Sequence, residues 1–144
     1  MPRYLGIDYG RRRIGLAISD PFGTLATPLA TLPSSGEPAG DARNVIELAD
    51  REEVDAFVVG LPMNMDGTEG PQAKLSRTFA AHLETESPNR TVALFDERLS
   101  SFAADQVLDQ TDLSPAKRKK RRDQIAAQVI LQGYLDALER SDAE

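Results

Sequence analysis

The chain has no cysteine, no tryptophan and a single histidine among its 144 residues. Without cysteine there are no disulfides and no thiolate metal sites, and nothing demands an oxidising compartment. His82, with no second imidazole beside it, reads as a structural or exposed residue rather than a ligand. Aromatic residues make up only 6%, too few for a surface that recognises nucleobases chiefly by stacking, so backbone or shape recognition is the expected mode for any nucleic acid. No apolar run is long enough to span a bilayer, and no charged-then-apolar leader opens the sequence. A cytoplasmic, soluble protein without a membrane partner is expected. An excess of positive charge is also missing: the net charge is -6, which argues against a general nucleic-acid coat. At this length one domain covering 1–144 is expected, large enough to bury a core without staples.

Against these absences stands one acidic residue in the wrong company. Tyr4-Leu5-Gly6-Ile7-Asp8-Tyr9-Gly10 and Arg13-Ile14-Gly15-Leu16-Ala17-Ile18-Ser19 are two apolar runs around a Gly-and-Arg turn, the pattern of a β-hairpin. Asp8 is the only charge inside the first strand. Burying a lone carboxylate costs several kcal/mol, on the order of 3–5, unless it is paired or bound to a metal. Strand alternation puts Asp8 on the side of Gly6 and Gly10, where nothing bulky stands beside it. Asp8 therefore either caps the hairpin or pairs with Arg11, Arg12 or Arg13, or else it is presented to a metal ion or phosphate.

Further along, Thr24 to Leu32 reads as a third strand, confined to an edge by Pro28. Asp41 is placed to cap a helix running to about Glu53. Ala56-Phe57-Val58-Val59-Gly60-Leu61 is a continuous apolar run, the signature of a buried parallel strand. At its carboxyl end lies a polar, glycine-punctuated loop, Pro62 to Pro71, at the edge where open α/β sheets gather ligands. A second helix follows to about Glu86. Thr91 to Phe95 is a fifth strand and ends in Asp96-Glu97-Arg98; Ser100 or Ser101 is placed to cap a short helix containing Phe102, Ala103, Val107 and Leu108. Ser114-Pro115 starts the last helix, with an expected buried stripe of Ala126, Val129, Ile130, Gly133, Tyr134, Ala137 and Leu138. Asp123 falls in line with that stripe. Lys117, Arg118, Lys119, Lys120, Arg121 and Arg122 precede it and concentrate six of the 17 basic residues. They form either a solvated face or a phosphate-binding patch beside Asp123.

The order of elements predicts an α/β protein: a three-strand antiparallel meander plus two parallel strands in a five-stranded mixed sheet, with helices on both faces. That topology puts Asp8 in the central strand, Glu97 at the end of a neighbouring parallel strand and Asp123 on a helix above them. Hard oxygen ligands without His or Cys suit Mg²⁺ or Mn²⁺, and two such ions can support phosphodiester cleavage.

At this point the chain resembles the YqgF/RuvX family of the RNase H-like superfamily. The resemblance rests on Gly6-Ile7-Asp8-Tyr9-Gly10 with Arg13-Ile14-Gly15-Leu16-Ala17, and on Val59-Gly60-Leu61-Pro62 with Asn64-Met65-Asp66-Gly67-Thr68-Glu69-Gly70. Asp96-Glu97-Arg98-Leu99-Ser100 and Asp123 within the Asp123-to-Leu135 stretch of the last helix complete it. The family is described as Holliday-junction resolvases and as nucleases that process the 5′ end of the small-subunit rRNA precursor. The resemblance implies an RNase H-like fold, hydrolysis of phosphodiester bonds, and catalytic and metal-binding roles for Asp8, Glu97 and Asp123. It places Arg98 and the Asn64-to-Gly70 loop, with Asn64 and Asp66, near substrate, and it implies a homodimer; Arg13 is a further expected substrate contact, and the basic run 117–122 is expected to hold flanking phosphates. Structured RNA and branched DNA are both expected substrates. Arg11 departs from the family, which commonly has a small hydroxyl residue there.

Two other readings compete. An actin-like or sugar-kinase ATPase would also use an Asp-Tyr-Gly turn, but needs two related domains. A non-catalytic RNA-binding or transcription-associated factor would bind through the basic helix and show no metal-dependent cleavage.

Overall fold

A computed structural model describes residues 2–99 and 114–143 of the chain. Its elements are β1 (Tyr4–Tyr9), β2 (Arg13–Ser19), β3 (Ala26–Pro33), α1 (Pro38–Arg51), β4 (Ala56–Leu61), α2 (Pro71–Glu86), β5 (Thr91–Asp96) and α3 (Pro115–Ala143). A single 3₁₀ turn, Glu97–Leu99, follows β5. The short helix expected after Ser100 or Ser101 lies outside the described residues. The five strands form one mixed sheet in the order β3-β2-β1-β4-β5. β1, β2 and β3 pair antiparallel, and β1, β4 and β5 pair parallel, as the order of elements predicts. Among the described residues no helix is long and apolar enough to cross a membrane.

The two faces of the sheet differ in side-chain size, and that difference positions the site. On one face Leu5, Ile7, Tyr9, Ile14, Leu16, Phe57 and Val59 pack under α1 and α2 with Val45, Leu48, Phe79 and Leu83. The other face is built from small residues. Gly6 and Asp8 of β1, Gly15 and Ala17 of β2 and Gly60 of β4 lie beneath α3, whose Ala127, Ile130, Leu131 and Leu135 complete a second core. A Cβ at Gly6 would stand 2.6 Å from Cβ of Leu131 and 2.9 Å from the Ala127 carbonyl. Glycine here serves close helix approach rather than turn geometry.

Two elements differ from expectation. The buried stripe of α3 is Ala127, Ile130, Leu131 and Leu135, with Tyr134 packed against it and Gly133 facing Phe95 as expected, whereas Ala126 and Val129 lie off it. Ile125 and Val129 form a separate small cluster, so α3 carries apolar residues on more than one side and its periodicity points to more than one face. Asp123 still lies on the sheet-facing side, one turn before Ala127.

Asp41 does not cap α1. The helix starts at Pro38, a residue that favours the first helical position, with Glu37 at the N-cap. This shift carries Asp41 into the first turn, where it is fully buried. It accepts hydrogen bonds from Tyr9 Oη (2.6 Å), Ser34 Oγ (2.7 Å) and the Ser35 backbone N–H (2.7 Å). Burial pushes the Asp41 carboxyl up, but these donors together outweigh it and hold it below the usual carboxylate range. The cluster ties the end of β1 to the β3–α1 connection. Asp41→Ala would strand three donors and is expected to cost about 2–4 kcal/mol in urea denaturation. Because the folded carboxyl titrates lower than the unfolded one, the stabilisation is complete at neutral pH. It disappears only as acid protonates Asp41 below the ordinary carboxylate range.

Candidate active site

Asp8 sits near the carboxyl end of β1, on the small-residue face, paired across the ladder with Gly15. Glu97 begins the 3₁₀ turn immediately after β5. β5 is two strands from β1, with β4 between them, so Glu97 is not on the strand next to Asp8 as expected. It reaches Asp8 across Gly60 of β4. A Cβ at Gly60 would collide with Glu97 Oε1, would lie 3.0 Å from Glu97 Cγ and 2.5 Å from Cδ1 of Ile130. The glycine is the gap through which the carboxyl passes. The Glu97 carboxyl donates a hydrogen bond to the Asp8 carboxylate.

The electrostatics follow from this contact. Burial pushes Asp8 up to about 6; the hydrogen bond from Glu97 opposes the rise, and the nearby Asp123 charge adds to it. Burial also pushes Glu97 up, to about 8, helped by the Asp8 charge, the shared hydrogen bond and Asp96. The pair retains a proton at neutral pH. Two carboxyl groups brought together in a buried site are the donor chemistry that suits a hard divalent cation.

Asp123 is close but differently engaged. Its backbone lies against Gly15, the cross-strand partner of Asp8, and its carboxylate accepts a 2.6 Å hydrogen bond from Arg13 Nε. Among the described residues no group of three or more acidic or histidine side chains is arranged to hold a metal ion. Asp8 and Glu97 are therefore brought into contact, and Asp123 faces a guanidinium.

The remaining residues expected at the site divide into those that face outward and those that shape a loop. Arg98 does not point at the carboxyl pair. Its Nη2 and Nε bind Asp96 at 2.6 and 2.9 Å, holding Asp96 below the usual carboxylate range, and Nη1 reaches the Met65 carbonyl at 3.4 Å. Asn64 and Asp66 turn inward on the β4–α2 loop. Asn64 Nδ2 donates to Thr68 Oγ1 at 3.0 Å, and Thr68 donates to Asp66 Oδ1 from both its hydroxyl and its N–H. These bonds and the clamp from Arg98 fix the loop and leave Met65 at its tip, 88% exposed.

The basic run is split by helical geometry. Lys117, Lys120 and Arg121 line one concavity with Gln124. Gln124 Nε2 donates to Thr31 Oγ1 on β3, and that hydroxyl donates to the Lys120 carbonyl. Thr31 pairs with Gly15, and Gly15 with Asp8. The concavity thus lies over β3, two strands from Asp8, or about 10 Å at ordinary strand spacing. Arg118, one turn earlier than Arg122 on another side of the helix, is partly buried, whereas Lys119 and Arg122 are exposed.

A family model described as RuvX, Holliday junction resolvase, matches residues 2–137. The chain belongs to the RuvX family. RuvX relatives agree over nearly their whole length. A Moorella thermoacetica protein is 47% identical over 136 residues, covering 94% of this chain and 96% of its own. A Clostridium botulinum protein is 45% identical over 138 residues (96% and 99%), and one from Myxococcus xanthus 44% over 142 (99% and 93%). All three carry the name "Putative pre-16S rRNA nuclease". Among solved structures, Thermus thermophilus RuvC in complex with a Holliday junction substrate superimposes with a TM-score of 0.58 at 16% identity, covering 95% of this chain and 96% of that one. At that identity the likeness establishes the RNase H-like fold.

Gly60 is the site residue that sequence reasoning passed over in this RuvX chain. It stands in the middle of an otherwise continuous apolar strand, a position where glycine marks a close approach. Gly60→Ala is expected to displace the flexible Glu97 carboxyl rather than the strand. Cleavage should fall at least about tenfold, while displacement of the buried Ile130 tip costs only about 1–2 kcal/mol of thermal stability. Single-turnover cleavage and thermal denaturation of the same sample separate the two effects.

Proposed function

We propose that this protein is a metal-dependent nuclease that cleaves RNA, acting on the 5′ end of the 16S rRNA precursor during ribosome biogenesis. The observation that carries the proposal is the Asp8–Glu97 carboxyl pair, brought into contact across Gly60 at the carboxyl ends of β1 and β5. The names of the relatives supply the substrate. Asp8 and Glu97 would hold a divalent cation, Mg²⁺ or Mn²⁺, with Asp123 joining them. When bound, such an ion supplies Lewis-acid charge to the phosphate and lowers the pKa of the attacking water.

The chain's own residues do the rest. Lys117, Lys120 and Arg121 hold flanking phosphates two strands from the reacting centre, so a polynucleotide lies across the amino-terminal turns of α3. Arg98 and Asp96 keep the Asn64–Thr68 turn rigid beside the strand ends, and rigid placement of substrate lowers the entropy cost of reaching the attack geometry. Phosphate recognition without base stacking accords with the low aromatic content.

The family description and the RuvC-like fold favour a second reading, cleavage of branched DNA. The two are separated by cleavage of a 5′-extended 16S precursor and of a four-way DNA junction under identical Mg²⁺ or Mn²⁺ conditions. Preferential cutting of the RNA supports the proposal. Preferential resolution of the junction, with symmetric nicks, would replace it.

A further inference from the structure

Arg13 opens β2 immediately after the hairpin turn and places its Nε 2.6 Å from Asp123 Oδ2. The side chains are 36% and 19% exposed, so the pair is partly shielded from water. Asp123 is held over Gly15, the ladder partner of Asp8. Asp123 therefore lies above the strand that neighbours that of Asp8, yet the three acids do not form a metal-binding group among the described residues. A guanidinium has taken the third carboxylate.

We propose that Arg13 is a built-in counter-ion that competes with a divalent cation for Asp123, so that loading of the site hands Asp123 to the metal and frees Arg13 for a substrate phosphate. The inference rests on the metal-dependent reading above. Its physical basis is a matter of charge. Without a cation, a third carboxylate beside Asp8 and Glu97 adds repulsion in a partly buried site, and the fixed positive charge of Arg13 offsets it. Arginine suits the exchange because its fork binds carboxylate and phosphate equally well and stays charged at any accessible pH. The same exchange would couple metal loading to substrate capture, since a phosphate gains its arginine only after the metal has taken Asp123.

The test is Mn²⁺ binding to the intact protein, by isothermal titration without substrate, for wild type, Arg13→Gln, Arg13→Lys, Asp123→Asn and the Arg13→Gln/Asp123→Asn double variant. Removing the competitor should tighten Mn²⁺ binding about two- to fivefold. Arg13→Lys, which keeps the charge, should stay near wild type. Asp123→Asn should weaken binding, and in its presence Arg13→Gln should have no further effect. In Ca²⁺, Arg13→Gln should bind RNA more weakly than wild type, and in chelator the difference should vanish. Unchanged or weaker Mn²⁺ binding by folded Arg13→Gln would reduce Arg13 to a brace for α3 and overturn the inference while leaving the metal reading intact. Failure of wild type to bind Mn²⁺ at all, with Asp8→Asn indistinguishable from it, would overturn both.

Discussion

Asp8→Asn should abolish cleavage and make the protein more stable. The loss of activity is expected to be at least about a thousandfold, because an amide cannot supply the charge that holds a divalent cation worth several kcal/mol to the transition state. The gain in stability follows from linkage. Asp8 and Glu97 titrate near 6 and 8 in the folded protein, above their unfolded values. The native state therefore holds more protons than the unfolded chain from about pH 4 upward. Across that window stability falls as pH rises, and the cost persists at neutral pH. Removing one ionisable group from the pair relieves part of it, on the order of 1–2 kcal/mol, or about 3 °C or more in Tm. The effect should shrink below pH 4, where both carboxyls are neutral in either state. Thermal melts of wild type and variant in chelator at pH 4 and pH 7.5 measure it. A variant that melts lower than wild type at pH 7.5 would show that Asp8 is a structural partner rather than a strained functional group.

The second large effect is expected from Gly15→Val, at a residue with no side-chain chemistry of its own. The space a side chain would need at Gly15 is filled by the backbone carbonyl of Asp123, with Asp123 Cβ 2.9 Å from the position of a Cβ. Backbone cannot rotate away as the tip of a glutamate can, so the amino-terminal half of α3 must lift from the sheet. Overpacking of this kind costs about 2–3 kcal/mol. The lifted segment carries Asp123 and the lysines proposed to hold phosphates, so cleavage and RNA binding should fall together. Urea denaturation and RNA binding of one preparation check both. Normal binding by a destabilised Gly15→Val would mean that α3 does not hold the substrate.

These two variants also mark how far the sequence could be read. Asp8 was legible because an acid inside an apolar strand violates the pattern around it, and strand alternation alone put it on the glycine side. Element order was enough to put Glu97 at the end of a parallel strand and Asp123 on the helix packed over the sheet. The contact between Glu97 and Asp8 was not legible in full, because it passes over an intervening strand and depends on Gly60 being empty at one depth. Asp41 misled because an acid at the start of a helical pattern looks like a cap; its buried partners Tyr9 and Ser34 lie 32 and 7 residues away. The Arg13–Asp123 pair spans 110 residues and leaves no local trace at all. The basic run was visible as composition, but only the helix rotation divides it into residues that share a concavity and residues that do not.

The catalytic role of the carboxyl pair is tested most directly by cleavage of an end-labelled 5′-extended 16S precursor by wild type in Mg²⁺, Mn²⁺ or chelator, beside Asp8→Asn and Glu97→Gln at matched concentration. Cutting is expected in either metal, with none in chelator, restoration when metal is added back, and no cutting by either variant under any condition. Cutting that survives chelation, or that persists in Asp8→Asn, would contradict the assignment of the carboxyl pair as the catalytic centre.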